Sequence, residues 1–375
     1  MFFDNASTTK VDDYIINGLE KFNNEHFYNP GGLYLKGRES RDFLEDARRR
    51  ILSSLSAEGQ LVFVGSATEG NNLAIFGSVK KQFKKILVSQ GEHPSVYNSA
   101  LELIQRGYNV EFVNLTKDGT VDFEDFQRKM SEDVGLVSIM HVSNETGAVN
   151  DIASLVEYAK AVNSNVIFHC DGVQAVGKVP VDIDQLGVDM YTISAHKIYG
   201  FKGVGALFVS NKIKLKPIIF GGGQESGLRS GTENLLGIYS LVEAVENAVN
   251  NQKQNYDYVS SLKDRFLKGI SESNLNYAIH SNSNCSPYIV SISFMGCRAE
   301  TILNKLSDKG VYIGNGSACS SKKSGNRILD NMGVKKAEIE SNLRISFSKN
   351  NTVEEVDKLV VELSLAVRDY LIKVS

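Results

Sequence analysis

The sequence predicts an α/β protein built on a mostly parallel sheet. Short apolar runs bounded by turn residues recur through the first two thirds of the chain, and segments with helical spacing lie between many of them. Several runs are rich in Val and Ile with no polar alternation, which suits strands covered on both faces. Alternation of such strands with helices is the pattern of a parallel sheet. In chain order the strands are expected at 61–64, 86–88, 136–140, 166–170, 190–193 and 206–209. The loop at 65–72 leads into a helical run at 73–83. Ile152, Leu155, Val156 and Ala159 share one face of a further helix.

The polar stretch 247–258 is a weak boundary signal. Beyond it the order is helix, a strand at 288–294, a helix at 299–309 and a strand at 311–313. The last helix is well marked. Thr352 and Glu355 form a capping box, and Val353, Val356, Val360, Leu363 and Val367 follow at helical spacing. This part reads as a smaller α+β domain. The expected division is a large domain at 14–255 and a small domain made of 1–13 and 256–375.

Composition narrows the function. The 375 residues carry a net charge of −3, so a bulk nucleic-acid binder, which needs clustered positive charge, is disfavoured. Four scattered cysteines are not a disulfide scaffold, and without a CxxC pair no structural zinc site is expected. No metal is expected otherwise. The first residues have neither a basic nor an apolar segment of a signal peptide. The most apolar long stretch, 235–249, is interrupted by Glu243 and Glu246 and reads as an amphipathic helix. A cytoplasmic enzyme is the expectation.

Five features carry chemistry. Lys197, in Ala195-His196-Lys197, follows an apolar strand. An ammonium is costly to bury, and the position is reasonable for an amine with a lowered pKa or a Schiff base, or for one that turns to solvent. Asp171 ends the strand at 166–170, where a carboxylate calls for a cationic partner or caps a turn. Together the two suggest pyridoxal 5′-phosphate, which pairs a lysine Schiff base with an acid at its ring nitrogen. The small-residue loop at 65–72, with Ser66 and Thr68, opens a helix and offers N–H groups to a phosphate, or is a plain capped turn. Cys319 sits in a glycine- and serine-rich segment near Lys322 and Lys323, which favour a thiolate; an incidental surface cysteine is the alternative. Cys170, Cys285 and Cys297 lie in or beside apolar strands and read as packing residues. Arg344, inside the apolar run 342–347, needs an anionic partner, either a substrate carboxylate or an internal carboxylate.

Taken together these motifs resemble the cysteine desulfurase family, within the class V aminotransferase-like enzymes of pyridoxal-phosphate fold type I. The resemblance runs almost end to end. It rests on Asp4-Asn-Ala-Ser-Thr-Thr9, Ala67-Thr-Glu-Gly-Asn-Asn72, Glu92-His93, His141-Val-Ser-Asn-Glu145, Asp171-Gly-Val-Gln174, Ser194-Ala-His-Lys197, Arg229-Ser-Gly-Thr232 and Gly316-Ser-Ala-Cys319. The fold it implies has a seven-stranded, mostly parallel sheet in the large domain and a smaller α+β domain carrying the cysteine loop.

The implied roles follow residue by residue. Lys197 is the Schiff-base lysine, Asp171 pairs with the ring nitrogen, and His93 stacks on the ring as an acid–base group. Gln174 and Asn144 approach the phenolic oxygen. Thr68, Ser194 and His196 hold the phosphate, with Glu69 in the same loop. Thr232 reaches the phosphate of a neighbouring subunit, implying a homodimer. Arg344 and Asn29, with Asn144, receive the substrate. Cys319 accepts sulfur as a persulfide and is a candidate transient iron–sulfur ligand.

The implied reaction turns L-cysteine into L-alanine and supplies sulfur to an iron–sulfur scaffold or a tRNA-thiolation enzyme. Direct nucleic-acid and membrane contacts are not expected. A selenocysteine lyase, another class V activity and a non-catalytic sulfur-delivery scaffold are the alternatives. Two departures stand out. Gly31-Gly-Leu-Tyr34 replaces the family's Ser-Ser-x-His, and the segment after Cys319 resembles the longer-loop branch but is about one residue shorter than its common form.

Overall fold

The computed structural model describes residues 1–282, 284–315 and 326–374. Its strands in chain order are β1 (Phe2–Phe3), β2 (Gly59–Val64), β3 (Lys85–Ser89), β4 (Val110–Val113), β5 (Val134–Ser138), β6 (Ile167–Asp171), β7 (Met190–Ser194), β8 (Gly205–Ser210), β9 (Tyr277–Ile279), β10 (Ile289–Phe294), β11 (Tyr312–Asn315) and β12 (Asn342–Ser346).

Seven of them form one sheet in the order β2-β8-β7-β6-β5-β3-β4. Pairs from β7 through β4 are parallel, while β8 runs antiparallel to both β7 and β2. This is the seven-stranded, mostly parallel sheet that the resemblance implies. Alternate residues feed two cores. Leu61, Phe63, Phe168, Tyr191 and Phe208 pack on one face. Val62, Val64, Ile167, Met190 and Leu207 pack on the other. A strand buried on both faces cannot afford polar alternation, which is why these segments read as continuous apolar runs.

The second sheet has the order β1-β11-β12-β10-β9. Its core, with Phe3, Phe266, Phe294, Leu343 and Phe347, joins the N-terminal residues to the C-terminal third. The last helix, Val353–Val374, lies on this core through Val356, Leu359, Leu363 and Val367. The capping box closes as expected: Glu355 N donates to Thr352 Oγ1 at 3.2 Å and Thr352 N to Glu355 Oε2 at 3.3 Å.

Some local expectations shift. The helix expected at 73–83 is Ala67–Ser78, because Ser66 caps it by accepting from Glu69 N at 3.2 Å. The helix therefore starts inside the small-residue loop. The strand expected at 311–313 spans β11, running to Asn315. β4 was not foreseen: it is an edge strand, part-buried, with Glu111 breaking its apolar run. The polar stretch at 247–258 spans the tight junction of helices Leu235–Asn250 and Gln252–Ser271. The first of these is the amphipathic helix expected there. No helix among the described residues is long and apolar enough to cross a membrane. Cys170, Cys285 and Cys297 are buried free thiols, as packing residues should be.

Candidate active site

β2, β6 and β7 run the same way, so their carboxyl ends share one edge of the sheet. In open α/β sheets ligands bind beyond that edge. Asp171 is the last residue of β6 and pairs in register with Thr192 of β7. Lys197 lies in the 3-10 turn Ala195–Lys197 directly after β7. The helix Ala67–Ser78 begins just past β2. The order of strands thus brings together three motifs that are far apart in sequence.

They meet in a cavity of about 370 Å³. Ser66, Ala67 and Thr68 line it at the N-terminus of their helix, and Ser7, His93, Asn144, Asp171, Gln174, His196, Lys197 and Arg344 complete its polar lining. The size suits a small aromatic cofactor with substrate.

Asp171 is buried. Its Oδ2 accepts from Asn71 Nδ2 at 2.7 Å and its Oδ1 from Val173 N at 3.0 Å. Lys197 Nζ donates to the carbonyls of Ala6 and Ser7 at 2.6 and 2.7 Å. Enclosure by protein, helped by the Arg344 cation, lowers its pKa to about 8, while Asp4 and Asp171 pull the other way. His196 Nδ1 lies 3.2 Å from Thr8 Oγ1, and its pKa is lowered to about 4 by burial and by Lys197.

Arg344 sits mid-strand in β12, opposite Ser291 of β10 and Gly314 of β11. Its Nη2 donates to Asp4 Oδ1 at 2.9 Å and Ser7 Oγ at 2.6 Å, and its Nη1 donates to Asn144 O at 2.9 Å. Glu145 lies 3.5 Å from Nη1. The internal-carboxylate reading of Arg344 is therefore realised, on a residue that also faces the cavity. A Cβ on Gly314 would stand 2.6 Å from Asp4 Oδ1 and 2.9 Å from Arg344 Nε, so glycine is needed for this close approach.

Four expected site residues are not brought to the cavity wall. Asn29 is exposed and accepts from Gly31 N at 2.8 Å. Glu69 is turned to Arg229, with Nε donating to Oε1 at 2.7 Å. Thr232 is exposed and lines a separate cleft with Arg229 and Gly203. Ser194 is buried just behind the site rather than in its lining. Cys319, with Lys322 and Lys323, lies outside the described residues.

Other polar residues of the site did not stand out in the sequence. Asn71, inside the 67–72 motif, holds Asp171 and donates to Ser95 Oγ at 2.8 Å. Lys178 is buried behind Gln174 and donates to its Oε1 at 2.5 Å. Glu92 is fully buried, accepts from Met140 N at 2.6 Å, and is held well above the usual carboxylate range by burial and by Asp171. The available signal was positional: Asn71 and Glu92 lie inside motifs of the site, and Lys178 stands four residues past Gln174.

The residues fit pyridoxal phosphate. Ser194 Oγ and Asn144 Oδ1 are buried without a hydrogen-bond partner among the described residues, as groups reserved for a ligand are. A 12-residue helix points its N-terminus into the cavity, a buried carboxylate faces it, and a lysine amine stands inside it. Among the described residues no group of three or more His, Cys, Asp or Glu is arranged to hold a metal ion.

Comparison with known proteins gives the same picture. The aminotransferase class-V family model matches residues 1–359. Cysteine desulfurase IscS 1 of Archaeoglobus fulgidus is 36% identical over 364 residues, covering 96% of this chain and 94% of that protein. A solved NifS-like protein superimposes with a TM-score of 0.92 at 31% identity, covering 98% of this chain and 99% of the other. A solved structure of SspA in complex with cysteine superimposes with a TM-score of 0.82 at 28% identity, covering 94% and 99%. With the lysine, the buried carboxylate and the helix N-terminus in one cavity, these matches leave one assignment: the chain belongs to the class-V aminotransferase family, among its cysteine desulfurases.

Proposed function

We propose that this protein converts L-cysteine to L-alanine and holds the released sulfur as a persulfide on Cys319. The observation that carries the reading is the convergence of Lys197, Asp171, His93 and Arg344 on one cavity. Pyridoxal phosphate, the family's cofactor, supplies the electron sink for charge developing at the substrate Cα.

The chain's own residues supply the rest. Asp171 would hold the ring nitrogen. Thr68, Ser194 and His196 would hold the phosphate, with Glu69 keeping their loop in place through Arg229. Gln174 and Asn144 would approach the phenolic oxygen. Lys197 takes the Cα proton at Nζ, and a pKa of about 8 leaves part of the amine neutral near neutral pH. Arg344, helped by Asn144 and Asn29, receives the substrate carboxylate. The Cys319 thiolate attacks the substrate sulfur; the S–S bond forms as the C–S bond breaks with its electron pair left on carbon, and the carbon skeleton leaves as alanine after taking up one proton at Cβ and regaining one at Cα.

Thr232, exposed on its cleft, is read as reaching the phosphate in a second copy, which makes the working unit a homodimer. Residues 14–255 are read as the large domain and 1–13 with 256–375 as the small one. An iron–sulfur scaffold or a tRNA-thiolation enzyme in the cytoplasm would take the sulfur. At a net charge of −3, any link to tRNA would run through that partner.

The test is a paired assay of alanine and persulfide on purified protein given L-cysteine. Cys319→Ser should keep the visible absorbance of the bound cofactor and lose persulfide formation. Undiminished sulfur transfer to an acceptor by that variant would remove Cys319 from the mechanism. Activity on selenocysteine with almost none on cysteine would overturn the substrate.

A further inference from the structure

His93 caps the helix Pro94–Gln105 with its own ring. The Ser95 backbone N–H donates to His93 Nδ1 at 3.1 Å. A backbone N–H can only donate, so Nδ1 must present its lone pair. Ser95 Oγ lies 2.8 Å from the same nitrogen. The direction of that bond is settled by the next residue. Asn71 Nδ2 donates one hydrogen to Ser95 Oγ at 2.8 Å and the other to Asp171 Oδ2 at 2.7 Å. The opposite amide orientation would set Asn71 Oδ1 against the Asp171 carboxylate, two acceptors face to face. The Ser95 hydroxyl therefore receives from Asn71 and gives its own hydrogen to His93 Nδ1.

We propose that Asn71 and Ser95 are positioning residues that lock His93 as the neutral tautomer protonated at Nε2, so that it faces the cavity as a hydrogen-bond donor. The arrangement is a relay of polarity that starts at Asp171. The carboxylate orients the amide, the amide orients the hydroxyl, and the hydroxyl with the backbone N–H fixes the ring. An imidazolium would need an acceptor at Nδ1, and both groups there are donors. Nε2, the nitrogen left for the cavity, then cannot accept a proton. Its N–H can stabilise negative charge developing beside it. Proton abstraction falls to Lys197 alone of the two.

Among the described residues the charged groups around His93 are Asp171, which favours the imidazolium, and Lys197 and Arg327, which oppose it. His93 is exposed in the single chain, yet enclosure by the surrounding protein still holds its pKa below the ordinary value. Glu92, the preceding residue, turns its carboxyl away to Met140 N. The inference rests on the proposed role of the cavity, but its readout does not require turnover.

The experiment is nitrogen NMR of the full-length protein, purified with its cofactor and labelled with 15N-histidine. The His93→Gln variant identifies the His93 signals among those of the six histidines. Near pH 7 the expected result is an unprotonated Nδ1 and a protonated Nε2. A proton on Nδ1, or an imidazolium, would overturn the proposal. Ser95→Ala removes one donor to the lone pair, so the pH at which His93 gains its second proton should rise by about half to one unit, roughly a 3- to 10-fold change in that equilibrium. Ser95→Thr keeps the hydroxyl and should restore the wild-type midpoint. An unchanged midpoint in Ser95→Ala would remove Ser95 from the relay. A protein that shows the expected tautomer but releases no alanine would instead refute the desulfurase reading.

Discussion

Replacing Lys178 with methionine should make this protein more stable and less active. Lys178 is buried, its Nζ donates to Gln174 Oε1 at 2.5 Å, and its charged neighbours among the described residues are the cations Lys197 and Arg344. Burial, with those two cations, lowers its pKa from 10.5 to about 7. A drop of that size is a penalty of about 5 kcal/mol on the charged folded state. Between about pH 7 and 10.5 the folded protein binds fewer protons than the unfolded chain, so stability rises with pH across that window. The penalty is complete below pH 7 and gone above 10.5. Methionine has nearly the same length and no charge. It leaves Gln174 Oε1 without its donor, which costs about 1–3 kcal/mol. The net gain at pH 7 is then about 2–4 kcal/mol. Denaturant unfolding of both proteins at one concentration, at pH 7 and at pH 9.5, measures it. The advantage should be large at the lower pH and shrink at the higher. The activity should fall because Gln174 then keeps only its Nε2 bond to Ala6 O, at 2.9 Å, and loses the Oε1 contact that helps to hold its amide against the cavity. Destabilisation by Lys178→Met at pH 7, or an advantage that grows with pH, would refute the reasoning.

Three further outcomes follow from the same geometry. Arg344→Lys gives up a planar fork for a point charge, so KM for cysteine should rise about tenfold or more while the cofactor absorbance is unchanged; steady-state kinetics and a visible spectrum check both. Arg48→Met removes the partner of a buried carboxylate, since Arg48 Nη1 and Nη2 each donate to Glu225 at 2.7 Å and the guanidinium lies 4.7 Å from the centre of the Phe63 ring. Leaving Glu225 unpaired should cost about 3–5 kcal/mol in an unfolding titration, and Arg48→Met with Glu225→Gln should recover part of it. Lys197→Ala should abolish the visible absorbance of lysine-bound cofactor, and a spectrum identical to wild type would displace Lys197 from the role given to it.

Much of the fold was legible because burial on both faces leaves a simple trace. β2, β3, β5, β6, β7 and β8 are apolar runs that no exposed strand would tolerate. β4 was missed for the converse reason: three of its four residues are only part-buried, and Glu111 interrupts its apolar run. The helix start was misplaced because Ser66 caps it from within a loop whose small residues looked like its approach. The junction near Asn251 reads as a boundary because its residues are polar; two helices meet there with a single residue between them, one packed on the core of the larger sheet and the other on that of the smaller.

The site divides along a different line. Lys197 and Asp171 announced themselves because each places a charge at the end of an apolar strand, and a charge there demands a reason. Arg344 did so too, although the carboxylate it meets here is Asp4 of the same chain, 340 residues away. Asn71 and Ser95 gave no such warning. A neutral side chain at a helix start is usually a cap or a turn, and nothing in composition tells a cap from a relay. What separates them is direction. A hydrogen bond between two ambivalent groups carries no instruction by itself; it acquires one only when the chain of bonds ends on a group that cannot reverse. Here it ends on both sides, at the Asp171 carboxylate and at the Ser95 backbone N–H. That is why the protonation state of His93 is written in the structure of its neighbours rather than in its own identity.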